Sequence, residues 1–153
     1  MCSKPVILHT DIGSDIDDFW ALVMLLRQSD KLELKMILTD TWNSVARAAI
    51  CEKILEGTPF ADRVLIGAGV LDNNRNYSHE QWVAGYDMSQ YPGAFRKDGV
   101  TAMIELVRSA EEPIRSFPSV RQLLWLRHWT AHRILPENYI WSACSAAFAG
   151  DMT

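Results

Sequence analysis

Four carboxylates fall within eight residues near the start of the chain, Asp11, Asp15, Asp17 and Asp18 in the run His9-Thr10-Asp11-Ile12-Gly13-Ser14-Asp15-Ile16-Asp17-Asp18. Acids brought this close repel one another unless a cation neutralises them. Calcium and magnesium suit such a cluster, because hard divalent ions take oxygen ligands. Gly13 lets the backbone turn tightly around such an ion.

The elements on either side must hold the cluster in place. Residues 5–8 form a short apolar run with β-branched members, which reads as a buried strand. Residues 19–27 read as a largely buried helix, with acids before it and Arg27 near its end, as the helix dipole prefers. A second strand is predicted over 32–38. Asn43 or Ser44 can cap a helix over 45–56 that Gly57 closes. A third strand is predicted over 64–68, and Asp98 can cap a helix over 100–109. This alternation predicts an α/β fold: an open, mostly parallel, Rossmann-like sheet with flanking helices and right-handed crossovers. The acids then lie at the carboxyl edge of the sheet, where ligands of such folds bind. Residues 70–97 form a long polar stretch, either a substrate lid or a surface excursion.

Several readings compete for the cluster. It can be a solvated acidic turn that caps a helix. An EF-hand loop fails, because the glycine is misplaced and the twelfth position from Asp11 is Leu22 rather than Glu. A phosphatase pattern of two Asp flanking one residue fails at His9, which stands where the nucleophile is needed.

The segment resembles the opening signature of the inosine–uridine-preferring nucleoside hydrolase family: a strand, Asp-Thr-Asp-x-Gly, a short spacer, Asp-Asp and an apolar helix. Here that run is His9-Thr10-Asp11-Ile12-Gly13, the spacer Ser14-Asp15-Ile16, then Asp17-Asp18 and Ala21-Leu22. The resemblance extends over residues 4 to 114, through the second strand and its loop to Asn43, the helix over 47–55, the third strand and the helix over 98–114. It implies calcium-dependent hydrolysis of the N-glycosidic bond of a ribonucleoside to base and ribose. By the same resemblance Asp11 is a calcium ligand and the general base, and Asp18 chelates the calcium. Asp17 and Asn43 contact ribose hydroxyls, and Asp15 takes a position in the metal shell. Two positions depart from the pattern: His9 replaces the first Asp, and Trp42 replaces a usual Gly beside the sugar. The alternative is a non-catalytic α/β module that binds a divalent cation or ribosides.

Composition bounds the remaining choices. With 153 residues, 48% hydrophobic and 22% charged, the chain is globular. A net charge of −4 argues against nucleic acid or an anionic membrane as partner. No apolar run reaches spanning length. Cys2, Cys51 and Cys144 make neither a zinc pattern nor a disulfide framework, which with the absence of a signal-like start points to the cytoplasm. Homo-oligomers are common in the full-length family.

Composition also divides the chain. Residues 1–114 carry 11 basic and 17 acidic side chains, net −6, whereas residues 115–153 carry four Arg and two acids, net +2. Residues 1–114 read as the front part of a nucleoside hydrolase domain. Residues 115–153 read as an atypical tail in which nothing strand-like follows Ile114. A shift of reading frame near the codons for residues 113–116 accounts for the step. Read out of step, the codons of residues 118–122 can specify the Ile-Gly-Pro-Ala turn that the family places there. Family members are longer, and their C-terminal half adds an Asp ligand and leaving-group contacts, so these residues alone are expected to hold calcium weakly and turn over little.

Overall fold

The computed structural model describes residues 3–69, 79–117 and 139–141. Six strands are present there: β1 (Lys4–Thr10), β2 (Leu32–Thr39), β3 (Leu65–Ala68), β4 (Phe95–Arg96), β5 (Ile114–Phe117) and β6 (Tyr139–Trp141). They form one sheet in the order β4-β3-β2-β1-β5-β6. Every neighbouring pair is parallel. The helices are α1 (Asp17–Arg27), α2 (Ser44–Leu55) and α3 (Gly99–Ser109). The predicted parallel α/β architecture is therefore the observed one.

β1 lies inside the sheet and is covered on both faces, which is why Val6-Ile7-Leu8 runs apolar without alternation. Val6 and Leu8 join one core with residues of α1 and α2. Ile7 joins a second core with Met103 and Val107 of α3. Direction and handedness explain the split. The chain steps from β1 through β2 and β3 to β4 in one direction, then returns past β1 to β5, and right-handed crossovers in opposite directions place their helices on opposite faces. α3 approaches β3 closely at two glycines: a Cβ on Gly67 would lie 2.7 Å from the Gly99 Cα, and one on Gly99 would lie 2.6 Å from the Ala68 carbonyl oxygen.

The helix termini follow the sequence signals closely. Asp98 caps α3, its carboxylate accepting from the Thr101 N–H at 3.1 Å. Asn43 holds the N-cap position of α2, but through a left-handed backbone rather than a side-chain hydrogen bond. Gly57 follows α2 with φ of 76°.

Three expectations change. A strand does follow Pro113: β5 pairs with β1, with Ile114 and Ser116 buried and Arg115 and Phe117 partly so. Strand formation asks only for that alternation, and its polar members hid it in the sequence. β6 then extends the sheet with residues 139–141. Secondly, α1 is not largely buried. Only Asp18 and Leu22 are enclosed, while Trp20 and Met24 face outward. Thirdly, the stretch after β3 is partly built: a 3-10 turn over Glu80–Val83 packs on α2, and β4 adds an edge strand beside β3. Residues 70–78, 118–138 and 142–153, with Cys2 and Cys144 among the cysteines, lie outside the described residues.

Candidate functional site

The strand order reverses at β1, so the gap beyond the carboxyl ends of β1 and β5 is the switch point where open parallel sheets bind ligands. Asp11 is the first residue after β1, and the acidic run occupies this place.

One side chain shapes the turn. Arg47, on the first turns of α2, is wholly buried. Its Nη1 donates to the carbonyls of Asp11 and Ile12, the latter at 2.7 Å. Its Nη2 donates to Ser14 Oγ at 3.0 Å and its Nε to the Trp42 carbonyl at 2.8 Å. A planar five-donor fork suits this fixed task. Thr10 adds a second clamp: its hydroxyl accepts from the Ile12 N–H at 3.1 Å and donates to Asp18 Oδ1 at 3.0 Å. Gly13 turns with φ of 107°, as its place in the sequence required.

The carboxylates fall into two pairs. Asp11 and Asp18 are both buried and hydrogen-bonded to each other. Burial, then the hydrogen bond and charge of Asp11, push Asp18 up to about 7, against the pull of the Thr10 hydroxyl. Asp15 and Asp17 are exposed and also bonded to each other. That bond raises Asp15 and lowers Asp17, as expected when one proton serves two acids. Ligand oxygens of Asp15, Asp17 and Asp18 lie within 4.8 Å of one another. The chain therefore brings one carboxylate oxygen from each of three acids into reach of one ion, with Asp11 bonded to the third. Among the described residues the ion pairs lie away from the acidic run: Lys35–Glu33 in the first half of β2 and Arg63–Asp62 just before β3. An all-oxygen, acid-rich set fits a hard divalent ion such as calcium or magnesium.

The loop from β2 to α2 forms the neighbouring wall. Thr41 and Asn43 both hold left-handed backbone, φ 68° and 58°. Such strain in residues other than glycine gathers at functional turns. Asp40 is a site residue that the sequence reading missed. Its carboxylate accepts from the Thr41 N–H at 2.7 Å. Burial raises it above the usual range, the charge of Asp11 adds to that, and Arg47 opposes it. The signal was present in the sequence as an acid directly after the second strand. His9 is buried, and burial lowers it to about 4, so it stands neutral beside the acids at pH 7.

On the α1–α2 side the turn is held by His79, whose backbone N–H donates to the Gly13 carbonyl at 3.2 Å and whose Nδ1 lies 2.9 Å from the same oxygen. Next to it opens an apolar cavity of about 260 Å3, lined by Ile12, Ile16, Phe19, Ile50 and Trp82 with Asp15 and His79 at its polar positions.

No known family profile matches the chain. No curated protein matches its sequence either. Solved structures match its fold. The type III effector protein XopQ, in a crystal structure complexed with adenosine diphosphate ribose, superposes with a TM-score of 0.53 at 15% identity, over 91% of this chain and 44% of XopQ. The likeness establishes a shared α/β fold. The chain spans less than half the length of that neighbour. No helix among the described residues is long and apolar enough to cross a membrane.

Proposed function

We propose that the chain carries the cation- and ribose-binding part of a nucleoside hydrolase-like site of the inosine–uridine-preferring kind. The observation that carries this reading is the acidic turn at the switch point, where buried Asp18 lies against buried Asp11 and has a carboxylate oxygen within 4.8 Å of those of Asp15 and Asp17. A calcium ion held by Asp11, Asp18 and Asp15 would supply positive charge among the acids and would orient water and the vicinal hydroxyls of the sugar.

The residues divide the remaining work. Asp17 binds ribose hydroxyls, and Asn43 also contacts the ribose. Asp11 takes a proton from the attacking water. The acids together favour the positive charge that develops on the sugar as the N-glycosidic bond breaks. Arg47 and Thr10 keep Asp11 and Asp18 in register. None of these residues donates a proton to the departing base, so hydrolysis makes a further demand that binding does not.

Titration calorimetry tests the proposal. Calcium should bind, inosine or uridine should bind only with calcium present, and Asp18→Asn should abolish both. Base release, if measurable, should disappear with Asp11→Ala. No heat with calcium at millimolar concentration would overturn the proposal. A second reading, cation-dependent riboside binding without hydrolysis, is favoured by the crystal structure of XopQ being a complex with adenosine diphosphate ribose. Calcium-dependent riboside binding with no base release selects it.

The change of composition after residue 114 carries a separate proposal, a shift of reading frame near the codons for residues 113–116. Sequencing the DNA across those codons tests it; a single intact frame shared by related genes overturns it.

A further inference from the structure

Four large apolar side chains stand exposed among the described residues: Ile16 (55%), Trp20 (56%), Met24 (40%) and Trp82 (44%). The first three recur at every fourth position, so they line one side of α1 and the turn that leads into it. Single exposed apolar residues are ordinary, but a continuous stripe centred on Trp is the composition of an interface. At Ile16 the stripe meets the rim of the apolar cavity that Trp82 also lines.

We propose that a second copy of the chain docks on this side of α1, helix against antiparallel helix. Charge selects the occupant. Exposed Asp15 and Asp17 mark one end of the stripe and exposed Arg27 the other. A helix that is acidic at its start, apolar in the middle and basic at its end is complementary to itself when reversed. A two-fold axis beside Trp20 sets Ile16 against the partner's Met24 and brings Arg27 to the partner's Asp17. Parallel docking would instead set acid on acid and Arg27 on its own copy. The reversed pair also opposes the two helix dipoles favourably. The contact is isologous, so it closes at two copies.

Sedimentation equilibrium of the full chain, over a concentration series without added calcium, reads the assembly as mass and leaves the ribose role of Asp17 aside. A monomer–dimer equilibrium is expected. Trp20→Glu should weaken it at least about tenfold, since it places two like charges at the centre of the contact. Arg27→Glu and Asp17→Lys should each weaken it about two- to fivefold, as exposed pairs do. An equimolar mixture of those two variants should regain the lost association, because both charge contacts of the mixed dimer are then attractive. Circular dichroism identifies a variant that unfolds; the two charge variants lie on the surface and keep the test alive if Trp20→Glu does. The proposal is overturned by a mixture that associates no better than either variant alone. A monomer at all concentrations also overturns it, and shielding of Trp20 from acrylamide quenching in that monomer would assign the stripe to another segment of the same chain.

Discussion

Helices α1 and α2 cross between neighbouring parallel strands on the same face of the sheet, yet they are held in opposite ways. α2 is enclosed on almost every side, because the Glu80–Val83 turn covers what the sheet leaves open. Lys53 fixes that cover, donating to the Trp82 carbonyl with its ammonium 4.8 Å from the ring centroid. α1 buries only Asp18 and Leu22 and turns Trp20 and Met24 outward. The difference separates two duties. α2 is a fixed anchor whose Arg47 sets the acidic turn from behind. α1 delivers acids at its N-terminus and leaves its outer side for a partner.

Removing the anchor should have the largest effect. Arg47→Ala leaves buried carbonyls of Asp11 and Ile12 without their donor, and at about 1–3 kcal/mol for each unsatisfied group the loss should reach about 3 kcal/mol or more. Urea unfolding measures it, and calcium binding should vanish with it. Arg47→Lys should rescue little, since one ammonium cannot reach four acceptors in a fixed fork. A loss under about 1 kcal/mol would mean that the turn holds itself.

Truncating apolar residues on the two helices sharpens the contrast. Ile50 on α2 is 2% exposed, so Ile50→Ala should cost about 2–4 kcal/mol. Met24→Ala on α1 should change the unfolding of dilute protein by no more than about 0.5 kcal/mol. Equal costs would show that something covers α1 even at low concentration.

A smaller effect than the loss of Arg47 or Ile50 is the pH dependence of the anchor itself. Glu52 is fully buried in α2, and neither carboxylate oxygen has a hydrogen-bond partner among the described residues. Burial raises it from 4.5 to about 7. A carboxyl whose folded value lies above its unfolded value binds more protons when folded. Its native state is therefore favoured below about 4.5 and loses that advantage as pH rises through about 7. Glu52→Gln should flatten this slope and stabilise the protein at pH 8 by about 1–2 kcal/mol after screening. Denaturation midpoints at pH 5 and pH 8 compare the two proteins; an unchanged slope would show that Glu52 is already paired.

Legibility in the sequence followed contiguity. The acidic cluster could be read because its members are neighbours in the chain, and Gly13 because a tight turn beside them needs it. Asp98 could be read as a cap because a cap acts within three residues. Arg47 could not, because what it does depends on elements brought together by parallel pairing of β1 with β2; Asp40 stood in the sequence as an acid after the second strand, but its place beside Asp11 depends on the same pairing. β5 was missed because a four-residue strand with Arg and Ser in it carries too little apolar signal. The outward side of α1 was missed for the reverse reason: Phe19 to Leu26 is apolar all round, so periodicity could not say which side faces water.

Local pattern and short-range caps were enough to define the fold class, the order of β1, α1, β2, α2, β3 and α3, and the acids placed after the first strand. Tertiary structure alone decided that the acids form a buried pair and an exposed pair and that a buried guanidinium fixes their turn. It also decided which side of α1 stays open. Each of these depends on what a side chain meets from elsewhere in the chain, and desolvation and packing are set by those distant neighbours.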